Sequence, residues 1–414
     1  MDTVDPRLIR ELTSELDAQL ASADAELAAQ FPGERPGRQP IHTVYVPADR
    51  FTADLAPTWG AEALAAIDSH DETWHGLVAD DRVDDLVRGK LADEPIEDLR
   101  IDLEDGYGNR GDEAEDVDVT RAARALVEAQ ASGTAPQLHG IRFKSFEAPT
   151  RARGVRSLVG FVSELVAGGG SLDRFVTTLP KVTSVEQVRA MVHACERLES
   201  ALGLTAGTLK FEIQVETPQS ILGPDGTALV APMIHAGAGR VTAFHYGTYD
   251  YSAFCGIAAQ YQSMEHAVAD HAKLVMQTAA AGTGVRLSDG STNILPVGDD
   301  DAVRDAWQLH HRLVGRSLER GYYQGWDLHP AQLPTRYAAT FAFYRNGFEP
   351  AARRLRDYLG QVGGGVMDEP ATARALSDFI MRGRDCGALT DREVESGTGL
   401  DAQALTALAR PVRS

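Results

Sequence analysis

Three cysteines in 414 residues, Cys195, Cys255 and Cys386, are too few and too scattered for a disulfide scaffold or a Cys-x-x-Cys metal knuckle. Positive charge is also short, with 40 Lys and Arg against 60 Asp and Glu and a formal net charge of −20. That balance argues against nucleic acid or an anionic membrane surface as the main partner. No stretch of about 18 apolar residues is available to span a bilayer. The opening MDTVDPRLIRELTSELD carries charge where a signal peptide has its apolar core, so a cytoplasmic location is expected. A Gly-x-x-x-x-Gly-Lys phosphate loop is missing too, and the triple glycines at 168–170 and 363–365 lack a strand-to-helix setting.

What is present is ample apolar material, 43% of the residues, arranged in alternating patterns. Residues 5 to 30 carry Leu8, Ile9, Leu12, Leu16 and Leu20 at helical spacing and end in the breaker-rich FPGERPGRQP. Strand-like runs follow at 41–47, 99–106, 138–143, 174–181, 209–216 and 241–247, separated by amphipathic segments at 116–131, 152–167, 185–202 and 263–281. A seventh run is 292–297 or, equally, the stretch from 285. An eighth is 322–330. Strand and helix in alternation imply a parallel sheet, and about eight repeats imply an α/β TIM (β/α)8 barrel. The expected organisation is an N-terminal helix and linker over 1–40, a barrel over 41–345, and a C-terminal helical extension over 346–414.

The polar residues sharpen this expectation. Asp102 and Glu104, Arg142, Lys181, Glu216, Asp250 and His329 fall at or just beyond the ends of successive runs. In a barrel those ends converge on one rim, whereas a doubly wound sheet spreads them along an edge. Glu216 and Asp250, delivered by neighbouring strands, suit a hard divalent cation such as Mg²⁺; the alternative is that they cap the helices that follow.

The segments IHTVYVPADR, IDLEDG, GIRF, TLPKV, QVETPQSI, YGTYDYSAFCG and GWDLHPAQL occur in an order and spacing that resembles the HpcH/HpaI aldolase and citrate lyase β-subunit family. That family includes malyl-CoA-type lyases and is related to malate synthase; the resemblance covers residues 41 to 344. It implies a TIM barrel using Mg²⁺ or Mn²⁺ to make or break a carbon–carbon bond next to a carboxylate or thioester. The substrate would be a small oxo-acid or an acyl-coenzyme A. By the same resemblance Glu216 and Asp250 are the metal ligands, Arg142 is the catalytic cation, and Glu104 with Asp105 is the acidic pair. Asp102, Lys181 and His329 are expected beside the substrate, and a homo-oligomer is expected.

The chemistry asks for such groups independently. Splitting a bond alpha to a carbonyl makes an enolate, and a Lewis-acid metal with a fixed guanidinium stabilises it. The alternative for Arg142 is a structural ion pair with a barrel carboxylate such as Glu104. His245, His329, Asp105 and Asp327 remain open as general base. Lys181 could form a Schiff base, which a metal would make redundant. Two features depart from the family: QGWDLHP stands where coenzyme-A-using members carry Gly-Lys-x-x-Ile-His-Pro, so Trp326 and Asp327 would reshape the pocket, and the chain is extended at both ends. Arg151, Arg153 and Arg156 could meet a coenzyme A phosphate or form a solvated helix face. A malate-synthase-like condensing enzyme and an inactive barrel used for binding or regulation are the alternatives.

Overall fold

A computed structural model describes residues 5–360 and 369–410; the triple glycine at 363–365 lies outside them. Eight parallel strands, β1 (His42–Pro47), β2 (Asp98–Asp102), β3 (Leu138–Arg142), β4 (Phe175–Leu179), β5 (Lys210–Val215), β6 (Val241–Tyr246), β7 (Arg286–Ser288) and β8 (Gly325–Asp327), form one sheet. Its order runs β7-β6-β5-β4-β3-β2-β1-β8, and a parallel bridge between Ser288 and Gln324 closes it into a barrel.

Strand alternation sorts the side chains into two sets. Val44, Val46, Leu99, Ile101, Ile141, Phe211, Ile213 and Phe244 form the apolar layer under the surrounding helices. The inward set is polar. Arg100 spans the barrel to Glu212 with bonds of 2.9 and 2.6 Å, Thr178 donates to Glu212 at 2.5 Å, and His245 Nε2 lies 3.1 Å from it. Burial opposes the Glu212 charge, but Arg100 and His245 hold its carboxyl well below the ordinary range. Charges can fill a barrel only when paired in this way.

Apart from the first, the strand runs read from sequence overshoot at their C-terminal ends. At β2 the Asp102 carboxylate accepts the N–H groups of Glu104 and Gly106 at 3.0 and 2.8 Å, so LEDG is a turn. The seventh strand is Arg286–Ser288, within the stretch from 285, and residues 292–297 are not a strand. Ile294 and Val297, which made that run look strand-like, are exposed in the rim loop. Three helices between β1 and β2, Leu55–Ser69, Asp71–Leu77 and Asp81–Asp93, were not anticipated.

The N-terminal helix Pro6–Gln30 is capped by Asp5, which accepts from Arg7 N at 2.8 Å, and has no buried residue. Its Leu and Ile stripe is about half exposed. At the other end one helix, Leu333–Leu359, carries the chain across residues 345 and 346. Helices Pro370–Asp385, Asp391–Thr398 and Ala402–Ala409 build a second small core with its later turns, around Leu355, Ile380, Met381, Val394 and Leu405. Among the described residues no helix is long and apolar enough to cross a membrane.

One buried ion pair ties helix to sheet. Glu199, near the end of helix Val185–Leu202, accepts from Arg240 at 2.6 and 2.8 Å and from the N–H groups of Gly207 and Leu209. Burial opposes its charge, yet Arg240 and the two amides bring the carboxyl down to about 2 from 4.5. Its stabilising contribution is therefore present above the ordinary carboxyl range and lost as pH falls towards about 2. Arg240→Met, which strands the carboxylate, should cost about 3–5 kcal/mol by denaturant unfolding at neutral pH. The deficit should shrink in acid.

Candidate active site

The C-terminal ends of the strands enclose a cavity of 460 Å³ lined by Tyr45, Asp102, Asp105, Arg142, Gln214, Glu216, Thr248, Asp250 and Trp326, among others. A larger groove of 780 Å³ between helices Arg151–Ala167 and Val185–Leu202 carries one carboxylate, Glu186, so volume alone does not locate the chemistry.

Arg142, at the end of β3, points inward with its fork closed on Asp102, both bonds 2.7 Å. Its remaining Nη1 faces Gln214 Oε1 at 3.3 Å and Glu104 Oε2 at 3.6 Å. The ion pair foreseen with Glu104 is thus made chiefly with Asp102. The guanidinium lies over the rings of Tyr45 and Trp326, at 4.8 and 5.9 Å. Asp102 takes the fork and two backbone N–H groups, so both its oxygens are occupied and it orients Arg142.

Lys181 sits among the acids. Its ammonium donates to Glu104 at 2.5 Å and Asp105 at 2.7 Å and lies 2.9 Å from Asp250 Oδ2. Its own N–H donates to Glu216 Oε1 at 2.7 Å. To reach both, the backbone takes φ of +49°, a left-handed conformation a lysine rarely adopts. Burial opposes the Lys181 charge, but Glu216, Glu104 and Asp105 raise its pKa.

Carboxylate oxygens of Asp105, Glu216 and Asp250 lie within 4.8 Å of one another. Glu216 is buried, and Gln214 Nε2 donates to its second oxygen. Burial first, then Glu104 and Asp250, hold its carboxyl well above the ordinary range against the pull of Lys181 and Arg142. Glu104 is pushed up by burial to about 7, although Arg142 and Lys181 oppose the rise. Burial would raise Asp105 too, but there Lys181 prevails and the carboxyl is lowered. Asp250 Oδ2, near Lys181 in distance, is not aligned with it and is a buried acceptor without a hydrogen bond. Three hard oxygen donors, one lacking a hydrogen bond, fit a cation of the Mg²⁺ kind. Thr248 Oγ1 and Trp326 Nε1 are also buried without partners, and both residues line the cavity.

Other sequence candidates fall elsewhere. His329 does not line this cavity; it caps the turn Pro330–Gln332 through Ala331 N at 3.2 Å, and burial lowers its pKa. Asp327 points outward from β8, locked to His42 at 2.8 Å and to Arg336 at 2.9 Å, so it neither serves as base nor shapes the pocket. Its neighbour Trp326 does line it. His245 is buried one layer below, between Glu212 and Tyr45. Arg153 and Arg156 are both paired to Asp116, as a helix face. Gln214 was missed, although its place two residues before Glu216 puts both on one face of β5. The loop after β2 spells Gly-x-Gly-x-x-Gly at Gly106, Gly108 and Gly111, also overlooked. Asp112, Glu113 and Glu115 in the first turn of the next helix set like charge against any phosphate there.

The fold and its rim define a (β/α)8 barrel with a carboxylate cluster at the C-terminal mouth. The profile of the family described as Domain of unknown function (DUF6986) matches residues 20–413, and the chain belongs to that family. No curated protein matches the chain. Among solved structures it is similar to Haloferax volcanii malate synthase, native at 3 mM glyoxylate, with 12% identity, TM-score 0.51, and coverage of 92% of this chain and 100% of that one. The magnesium/glyoxylate complex of the same enzyme gives 13%, 0.51, 91% and 99%. Protein CitE from Mycobacterium tuberculosis, in complex with magnesium and acetoacetate, gives 17% identity, TM-score 0.46, and coverage of 84% and 98%. At such identities the malate synthase likeness speaks for the fold.

Gly247, directly after β6, makes room for the cluster. A Cβ there would stand 2.5 Å from Glu216 Cβ and 2.8 Å from its Oε2. Gly247→Ala should displace Glu216 and cost about 1–3 kcal/mol by thermal unfolding. Unchanged stability and unchanged metal affinity would contradict this packing.

Proposed function

We propose that this chain is a divalent-metal-dependent carbon–carbon lyase, cleaving or forming a 4-hydroxy-2-oxo acid or a 3-hydroxy-acyl thioester in the manner of the HpcH/HpaI aldolase and citrate lyase β-subunit family. The observation that carries this reading is the Asp105, Glu216 and Asp250 cluster beside Arg142 in one cavity. The fold shared with a malate synthase whose structure holds magnesium and glyoxylate supports the ligand class.

Glu216 and Asp250 would hold Mg²⁺ or Mn²⁺, with Asp105 as a third oxygen donor. The ion supplies Lewis-acid polarisation of an oxo-acid carbonyl. Asp102 fixes two N–H groups of Arg142 and leaves Nη1 for a substrate carboxylate or the developing enolate oxygen. Tyr45 and Trp326 screen that guanidinium from water, so its charge acts in a medium of lower dielectric. Glu104 supports the cluster by holding Lys181. The pairing of Arg153 and Arg156 with Asp116 weighs against a coenzyme A phosphate at that face.

A second reading is a malate-synthase-like condensation, supported by an overlap of 92% of this chain with the Haloferax volcanii enzyme. The joint presence of Glu216, Asp250 and Arg142 weighs against an inactive binding barrel. Self-association belongs to the proposal as well, because the exposed stripe of helix Pro6–Gln30 is a surface that assembly would cover.

Calorimetric titration of metal-stripped protein with Mg²⁺ and Mn²⁺, with and without glyoxylate or pyruvate, tests the reading. Metal should bind once per chain, tighten with the oxo-acid, and weaken more than about tenfold in Glu216→Ala. Because Glu216 holds its proton above the ordinary carboxyl range, affinity should rise with pH as that proton is released. Absence of both metal and oxo-acid binding would sink the lyase reading.

A further inference from the structure

The opposite, N-terminal mouth of the barrel holds a cavity of 540 Å³ whose floor includes the Arg100 and Glu212 pair. Its walls carry Arg35 from the linker, Lys210 from the start of β5 and Arg286 from the start of β7, with Arg174 exposed at the edge. In a chain with a 20-charge excess of acid, these cations have acids only at longer range, Glu34 acting on Arg286 and Glu199 on Lys210. No carboxylate oxygen lies within 4.0 Å of Arg35, Lys210 or Arg286 among the described residues. Each donates instead to main-chain carbonyls: Arg35 to Val241 at 3.1 Å, Lys210 to Gly239 at 3.3 Å, and Arg286 to Arg38 and Gly37 at 2.8 and 2.7 Å. These bonds leave further N–H donors on every one of the three.

The carboxylates lining the same cavity are already engaged. Glu212 and Asp98 are held by Arg100, and Asp173 lies 4.0 Å from Arg174. The cations also crowd one another. Burial, with Arg35, Arg382 and Arg410 adding to it, lowers the Arg286 guanidinium to about 10, and burial with Arg35 and Arg240 lowers Lys210. Arg410 and Arg382 meet here because they pin the linker, through Arg35 O at 3.2 Å and Gln39 Oε1 at 2.8 Å. Like charges gathered at a concave, half-screened mouth are relieved by an anion.

We propose that the N-terminal mouth of the barrel is a binding site for a phosphate-bearing small molecule, held by Arg35, Lys210 and Arg286 and separate from the carboxylate rim. The N–H groups that Arg35 and Arg286 have left, with one ammonium, match the oxygens of a phosphate dianion, and the cavity has room for more than one phosphoryl group. Bound there, the anion ties the linker to β5 and β7 and adds to the bonds that Arg382 and Arg410 make to the linker.

The test uses the full chain, metal-free in EDTA and at constant ionic strength, titrated calorimetrically with inorganic phosphate, pyrophosphate and ADP and followed by thermal unfolding. One anion per chain should bind and raise Tm, and Lys210→Gln or Arg286→Gln should each weaken it by at least about tenfold, a loss of 1.4 kcal/mol or more. Glu216→Gln should leave it unchanged, which separates this site from the rim. Tighter binding of ADP than of pyrophosphate identifies a nucleotide as the ligand, and equal binding identifies the phosphoryl groups alone. Chloride producing the same stabilisation, both cation variants binding as the wild type does, or loss of binding in Glu216→Gln would overturn the proposal.

Discussion

The balance of charge at the C-terminal rim governs the rest of the site. Glu104, Asp105, Glu216 and Asp250 converge there, and the cation set among them is the Lys181 ammonium, since the Arg142 fork is committed to Asp102. One positive charge cannot balance four carboxylates, two of which, Glu104 and Glu216, are buried, so the excess is neutralised by protons or by a further cation. The raised Glu216 carboxyl and the Glu104 carboxyl near 7 express the first solution. A divalent ion would be the second, and would turn the same electrostatic tension into binding affinity. The left-handed backbone at Lys181 belongs to this arrangement, because it lets one residue place an N–H on Glu216 and an ammonium on the other acids.

Beneath the rim the barrel interior is a stack of paired charges. Arg100, Glu212 and His245 form one layer, and Asp102, Arg142 and Gln214 another. Each strand alternates these with aliphatic residues facing the helices, so the apolar layer that stabilises the fold is outside the barrel and the chemistry is inside. The two mouths carry opposite signs. Acid collects where the strands end and base collects where they begin.

Much of this was legible in sequence because strand ends have a readable grammar. Glu216, Asp250, Arg142, Asp102 and Lys181 stand at the ends of β-branched or aromatic runs, and a closed sheet must bring such ends together. What escaped was what alternation and loop geometry decide. Asp327 ends β8 as Arg142 ends β3, and His329 follows two residues on, but Asp327 points outward to Arg336 and His329 caps a turn. The strand β7 is three residues long, too short for a periodicity to show, while the exposed Ile294 and Val297 imitated one. Pairings such as Lys181 with three acids join residues up to 77 positions apart in the chain, and no local pattern reports them.

The most direct measurement is the Mg²⁺ affinity of Lys181→Met against wild type, by calorimetry at neutral pH. If the ammonium occupies the charge position that a cation would take, removing it leaves the carboxylates uncompensated. The variant should then be less stable without metal and bind Mg²⁺ at least about tenfold more tightly, about 1.4 kcal/mol. Weaker binding, or none, would contradict the account by showing that Lys181 builds the site instead of balancing it.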